Sequence, residues 1–216
     1  MAKLEEFEIF KNLPQQEIDK LQEIVKIKHF SQKEIIAYEG DISKEVLLLL
    51  KGEVKLYKVN RFGGEIFLCQ LREGLLNTPK EKEQFIFANL ECKKDSKVAF
   101  FSKDLLFSLF LKSPSLMHFF FIQLQEKLQF FEDVIRRELV FDSTAKIAYF
   151  LVHDLEDFNH NKKQDIAAFL NIQPETLSRI LKKLSRDGMI LQDKEGRVQI
   201  QDLQALKQIY KKEEHI

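Results

Sequence analysis

Residues 171–190 read NIQPETLSRILKKLSRDGMI, and their spacing decides how the rest of the chain is read. Leu177, Ile180, Leu181 and Leu184 recur at gaps of three and four, the interval that lines up one face of an α-helix. Glu175, Ser178 and Arg179 repeat that spacing on another face, and three polar side chains there cannot be core. Pro174 suits the start of such a helix, because its missing N–H would be unpaired in the first turn anyway. Upstream, 164-QDIAAFL predicts a second helix, separated from the first by a short turn at Asn171-Ile172. Ala167 falls where two helices would cross closely, and Ile166, Leu170, Ile172, Leu177 and Ile180 supply the apolar wedge between them. A turn of this kind usually needs a residue at positive φ, commonly glycine. Asn171 enters that region more readily than other residues with side chains. Downstream, 189-MILQDKEGRVQI predicts two strands around Asp193-Lys194-Glu195-Gly196, a hairpin signal. Helix, tight turn, helix and hairpin make a winged helix-turn-helix.

That arrangement gives the polar face something to read. Arg179 can donate two parallel hydrogen bonds to guanine O6 and N7, and Glu175 can accept from cytosine N4, each good pair being worth roughly 1–3 kcal/mol. Thr176 and the helix N-terminus that Pro174 opens can approach a phosphate. Lys182, Lys183 and the hairpin's Arg197 would contact further phosphates, which position a protein without carrying sequence information. The predicted DNA-binding set is therefore Pro174, Glu175, Thr176, Ser178, Arg179, Lys182, Lys183 and Arg197. Taken alone, ETLSR would be a solvated helix face. Followed by LKKLSRDGMI and a hairpin, it predicts the major groove.

N-terminal to this block the period changes twice. After Pro114, the residues Met117, Phe121, Leu124, Leu128, Phe131 and Ile135 alternate gaps of four and three, a heptad seam. This predicts a helix over about 115–140 that pairs with a second copy of the chain. Phe120, Phe130 and Val134 form a flanking stripe suited to contact with the chain's own β domain, and the plainer reading is a core helix of that domain alone. Next, 142-DST offers an N-cap for 144-TAKIAYFLVHDL, and 157-DFNHNKK reads as a polar boundary loop. Between about 25 and 101 the pattern is of short strands (IVKIKHF, EIIAYEG, EVLLLLKGEVKLYKVN, GEIFLCQL, FIFANLE, KVAFF). Turn signals punctuate them at Gly40-Asp41, Lys51-Gly52, Gly63-Gly64 and Glu73-Gly74, which suggests a sandwich or barrel. Pro14 opens a short helix before them. The resulting division is 1–112 for a β sensor domain, 113–140 for a dimerisation helix and 141–216 for the winged helix.

Bulk properties exclude more than they assign. The 216 residues are 44% apolar and 31% charged, an ordinary globular composition. Lys plus Arg and Asp plus Glu balance at 34 each, so total charge is silent about nucleic acid. Its distribution is not silent, because Arg179, Lys182, Lys183 and Arg186 follow one another without an intervening acid. MAKLEEFEIF is no signal peptide, and runs such as 46-VLLLL fall well short of the roughly 18 residues a membrane span needs. A cytoplasmic protein without a membrane partner is expected. Two cysteines, Cys69 and Cys92, suit a reducing compartment and build neither a disulfide framework nor a four-thiolate metal site. No catalytic or metal set is assigned.

The chain resembles the CRP–FNR superfamily of bacterial transcription regulators. The residues carrying the resemblance are 37-AYEGD, 49-LLKGEVKLY, 91-ECKKDSKVAFFSKDLL, 112-KSP and the block QDIAAFLNIQPETLSRILKKLSRDGMI. It implies an α+β fold: an N-terminal double-stranded, jelly-roll-like β-roll, a long dimerisation helix and a C-terminal winged helix-turn-helix. It also implies a homodimeric regulator without enzymatic activity, whose partners are double-stranded DNA, RNA polymerase and an unidentified effector. The Glu175, Ser178 and Arg179 arrangement is similar to that of the FNR branch, which implies a palindrome with TTGA-like half-sites. Two recognition helices would then enter successive major grooves about 34–36 Å apart.

In the sensor the resemblance stops short. Cyclic-AMP members carry a Gly-Glu and an Arg-Ser that hold ribose and phosphate. Here 71-LREGLLNTPKEKEQFIFAN has Gly74 but neither pair, and a buried phosphate without an Arg partner would be expensive. Cyclic AMP is therefore not expected. No cysteine precedes Cys69, which excludes the N-terminal iron–sulfur cluster of oxygen sensors. No cofactor is assigned. A haem-based sensor of gas or nitrosative stress stays open as an alternative, with His29, Cys69, Cys92 and His118 as candidate ligands. Thiol sensing rests only on Lys93 and Lys94 beside Cys92. A cupin-type metalloenzyme fails because the β region holds His29 alone, and a ligand-binding regulatory subunit that does not touch DNA leaves the winged helix unexplained.

Overall fold

The computed structural model describes residues 3–78 and 84–211. The chain forms two compact units, one ending at Glu132 and the other beginning at Asp133. The first opens with short 3₁₀ turns at Leu4–Glu6 and Glu8–Phe10, then α1 (Gln15–Ile24), with Pro14 just outside the helix at its N-cap. The strands follow: β1 (Val25–Phe30), β2 (Ile35–Ala37), β3 (Ile42–Ser43), β4 (Glu45–Val59), β5 (Glu65–Leu71), β6 (Gly74–Leu75), β7 (Gln84–Phe85) and β8 (Asn89–Ser102). Helices α2 (Lys103–Phe110) and α3 (Pro114–Ile135) complete this part of the chain.

The antiparallel sheet has the order β1-β8-β4-β5, with β2 also on β8 and β6 also on β4, while β3 and β7 pair separately. The run 46-VLLLL-50 is buried at every position, as a strand covered on both faces requires. Its register on β8, with Val46 opposite Phe101 and Leu48 opposite Ala99, stacks an apolar interior. That interior continues through Leu4, Phe10 and Leu21 to Leu116 and Phe120 of α3. Phe120 lies at ring distances of 6.0 Å from Phe101 and 5.1 Å from Phe110, which seats the start of α3 on this core.

Two expected interruptions are absent. Lys51-Gly52 does not turn the chain, because β4 runs through it, and β8 likewise joins FIFANLE's end to KVAFF in one strand. The register between the two shifts around Gly52, which adopts φ +121°. A Cβ there would stand 2.7 Å from the Ser96 Cα, so the glycine permits a close crossing inside a long strand. Ser96 Oγ receives the Glu53 N–H at 3.2 Å across the same bulge.

The second unit contains a π-helical turn (Arg136–Val140), α4 (Ser143–His153), α5 (Leu155–His160), α6 (Lys163–Phe169), α7 (Pro174–Arg186), the hairpin β9 (Ile190–Gln192) and β10 (Val198–Ile200), and α8 (Leu203–Lys211). Asp142 caps α4 by accepting the Thr144 and Ala145 amides at 2.7 and 2.8 Å. The supposed boundary loop at 157 is instead the body of α5, anchored by buried Phe158. Regular α-winding of the long helix stops at Ile135 rather than continuing to 140. Ile147, Leu151, Ile166, Leu177, Leu181, Leu184, Val198 and Leu206 make the core. No single helix among the described residues is long and apolar enough to cross a membrane.

Candidate nucleic-acid interface

The turn between α6 and α7 explains how the polar face is held. Asn171 takes φ +52°, the left-handed geometry expected of it, and Ile172 N–H donates to Ala167 O at 3.0 Å. Buried Ala167 lets the helices approach, and Leu177, Ile180, Leu181 and Leu184 fix α7 by its inner face. Pro174 stands at the start of α7, and Gln173 at the N-cap provides no side-chain cap. The first amides of α7 therefore receive no bond from the N-cap side chain.

The outer face of α7 bounds a shallow concavity of about 750 Å³ lined by Pro174, Glu175, Ser178, Arg179, Lys182, Lys183 and Arg186. Six of the eight predicted DNA-binding residues thus come together. Thr176 lies outside this lining. Arg197 sits on the hairpin, where its Nε meets Asp193 Oδ2 at 2.9 Å and its Nη2 meets Glu195 Oε2 at 2.6 Å. Asp193 accepts the Arg197 amide and guanidinium, which hold its carboxyl below the usual range. Arg197 reaches a phosphate only by leaving acids already bound. Arg186 was legible as part of the basic run but not as a lining residue; its Nε is 3.4 Å from Asp187. Arg179, Lys182 and Lys183 are exposed and form no ion pair with a described residue.

On α3, Met117 (51%), Phe121 (54%), Leu128 (61%) and Ile135 (56%) are exposed, while Leu124 and Phe131 are half-buried. Buried Phe120 and half-buried Phe130 and Val134 lie off that stripe. The π-turn adds exposed Leu139 and Val140, which the heptad reading did not include.

The sensing candidates are scattered by environment: Cys69 and Cys92 are buried, His29 and His118 exposed. Burial pushes the Cys92 thiol up, away from the reactive thiolate. Among the described residues no group of three His, Cys, Asp or Glu side chains is placed to hold a metal ion. Residues 79–83 of the stretch compared with cyclic-AMP binders lie outside the described residues. A group not anticipated is Lys127 of α3, whose Nζ donates to Leu75 O at 2.8 Å and whose burial lowers its pKa to about 8.

Residues 145–209 match the family model of the Crp-like helix-turn-helix domain. This part of the chain is similar to Crp-like helix-turn-helix domains. No curated protein matches the chain by sequence comparison. Among solved structures, FixK2 from Bradyrhizobium japonicum superposes with a TM-score of 0.66 at 16% identity, over 86% of this chain and 97% of its own. A transcriptional regulator of the CRP/FNR family from Thermus thermophilus gives 0.66 at 20% identity, over 86% and 98%. CooA from Carboxydothermus hydrogenoformans, as a double mutant, gives 0.66 at 19%, over 88% and 89%. At these identities the likeness concerns the fold. The chain has the fold of CRP/FNR-type regulators, with the Crp-like domain carrying the concave basic face of α7.

Proposed function

We propose that the chain is a dimeric, sequence-specific DNA-binding transcription regulator. It reads a palindrome with TTGA-like half-sites and responds to a signal other than cyclic AMP at its β-roll. The observation that carries this reading is the outer face of α7. Arg179, Lys182 and Lys183 converge there with Glu175 and Ser178, forming no ion pair with a described residue, on a helix whose N-cap Gln173 makes no side-chain capping bond. Arg179 and Glu175 face base edges while Lys182, Lys183 and Arg186 meet phosphates. The stripe from Met117 to Ile135 pairs with its copy in a second chain, since apolar side chains exposed at heptad spacing gain by mutual burial. RNA polymerase is the expected downstream partner, and no catalytic step is assigned.

The test is fluorescence anisotropy of the purified protein on a TTGA-N6-TCAA duplex and on a scrambled duplex of equal composition, at fixed salt because non-specific affinity depends steeply on it. A clear preference for the palindrome is expected. Equal binding to the two duplexes overturns the half-site assignment, and no binding to either at low salt overturns DNA recognition in favour of a regulatory subunit. Light scattering that shows a monomer at the concentrations of the titration overturns the dimer seam.

A further inference from the structure

The Crp-like domain contains a charged cluster built around a buried lysine. Lys146, on α4, is among the buried residues of this unit at 7% exposure, on a helix whose neighbouring positions Ala145, Ile147 and Ala148 are buried apolar. Its Nζ meets Glu138 Oε2 at 2.6 Å and donates to Leu170 O at 3.3 Å. The same Glu138 oxygen receives the Asn171 Nδ2–H at 3.2 Å, and its other oxygen receives the Arg137 Nε–H at 3.2 Å. Arg137 in turn lies over the Phe169 ring at 5.7 Å. Three consecutive residues at the end of α6 and in its turn, Phe169, Leu170 and Asn171, are therefore each tied to this cluster.

Glu138 lies in the π-helical turn, whose widened ring is closed by Phe141 N–H on Arg136 O at 3.2 Å. Such turns hold one residue more than an α-turn and are frequent at functional sites. Returning Arg136–Val140 to α-winding would rotate Glu138 away from both Lys146 and Asn171. A buried ammonium separated from its carboxylate is costly, so the ion pair favours the π form, and the π form keeps Glu138 on the turn.

We propose that Glu138 is a positioning residue that, through Lys146 and Asn171, holds the turn before the recognition helix in its DNA-reading geometry. This rests on the DNA-reading function proposed above. It assigns regulation of the same site to a specific contact: whatever rewinds residues 136–140 releases the Leu170–Asn171 turn and loosens the aim of Glu175 and Arg179. Phosphate contacts through Lys182 and Lys183 tolerate that loosening, because a point charge on a flexible stem needs no fixed alignment.

Two readouts separate the possibilities. The first is amide hydrogen exchange by NMR on the full chain, with no DNA present. Glu138→Gln is expected to speed exchange at Asn171 and Ile172 by about tenfold relative to the α4 core amides. The second is the ratio of affinities for palindromic and scrambled duplexes, measured at a temperature where every variant is folded. It should fall on the order of tenfold or more in Glu138→Gln, the scale of one lost bidentate base contact, with scrambled-duplex affinity unchanged. A merely stabilising role would lower both affinities by the same factor. Asn171→Gly, which keeps the positive φ without strain and removes the amide, should reduce the ratio while leaving Tm in place; it serves if Glu138→Gln fails to fold. Unchanged exchange at Asn171 and Ile172 in both variants overturns the proposal, as does a ratio kept at the wild-type value. A wild-type protein with no preference between duplexes overturns the half-site assignment instead, and the exchange data then decide the role of Glu138 by themselves.

Discussion

Replacing Arg179 with alanine tests the base-reading assignment, and Lys182→Ala is its matched control. Both side chains are exposed on one helix face and neither forms an ion pair with a described residue, so neither change should disturb the core or strand a described partner. A bidentate arginine–guanine contact contributes roughly 1–3 kcal/mol, and a dimer on a palindrome makes it twice. Arg179→Ala should therefore cost about 2–6 kcal/mol on the matched duplex, or about 30-fold to 10⁴-fold in affinity. On the scrambled duplex it loses only a general positive charge, so the preference collapses. Lys182→Ala removes one phosphate contact per half-site. It should weaken both duplexes alike and reduce the magnitude of the log–log salt slope by about 1.8 for the dimer. The assay is anisotropy across about 50–200 mM salt, a range over which proteins making several phosphate contacts change affinity steeply. Equal losses from both substitutions on both duplexes would show that Arg179 reads phosphate, and the half-site inferred from Glu175, Ser178 and Arg179 would go with it.

Three further outcomes concern the scaffold. Gly52→Ala places a Cβ 2.7 Å from the Ser96 Cα at φ +121°, so denaturant unfolding should show a loss of at least about 2 kcal/mol, whereas Gly40→Ala, with nothing near its Cβ, should cost less. Asp142→Ala removes the acceptor for two α4 amides and should cost about 0.5–2 kcal/mol, with Asp142→Asn recovering most of it. Lys127 should make stability rise with pH in an unusual window. Below about pH 8 its ammonium is protonated in both folded and unfolded chains, and folding bears the full cost of burying it. Between about 8 and its ordinary value of 10.5 the folded chain gives up the proton while the unfolded chain keeps it, so stability climbs by roughly 2–5 kcal/mol relative to Lys127→Met. Parallel stability–pH curves for the two proteins would show that the ammonium is effectively hydrated.

The winged helix was legible because each of its parts leaves a local mark. The α7 stripe repeats every three or four residues, Pro174 marks a start, and Asn171 marks a backbone that most residues avoid. The ends of the roll's long strands were not legible, for a related reason. Gly52 signals a turn when only its neighbours are considered, and its actual requirement comes from Ser96, more than forty positions away. A glycine that admits a second backbone and a glycine that turns the chain look the same in sequence. Helix α8 went unread although its signals were local: Asp202 accepts the Ala205 amide at 2.9 Å, and Leu203, Leu206 and Tyr210 recur at gaps of three and four.

The cluster around Glu138 shows a deeper limit of reading by pattern. Periodicity assigns faces by the polarity of each residue and by that rule would leave a lysine at the surface, yet the structure buries Lys146 beside buried Ala145, Ile147 and Ala148. What makes that burial tolerable is a carboxylate eight residues earlier, on a π-turn that shifts the helical register. Neither the turn nor the pair has a local signature, and the third member, Asn171, lies 33 residues further along from Glu138. The residues proposed to read bases follow the opposite logic: a side chain that meets an external partner stays at the surface position that periodicity assigns. A pattern can therefore find an exposed face such as that of α7, while contacts such as those of Glu138 become visible only when distant parts of the chain are brought together.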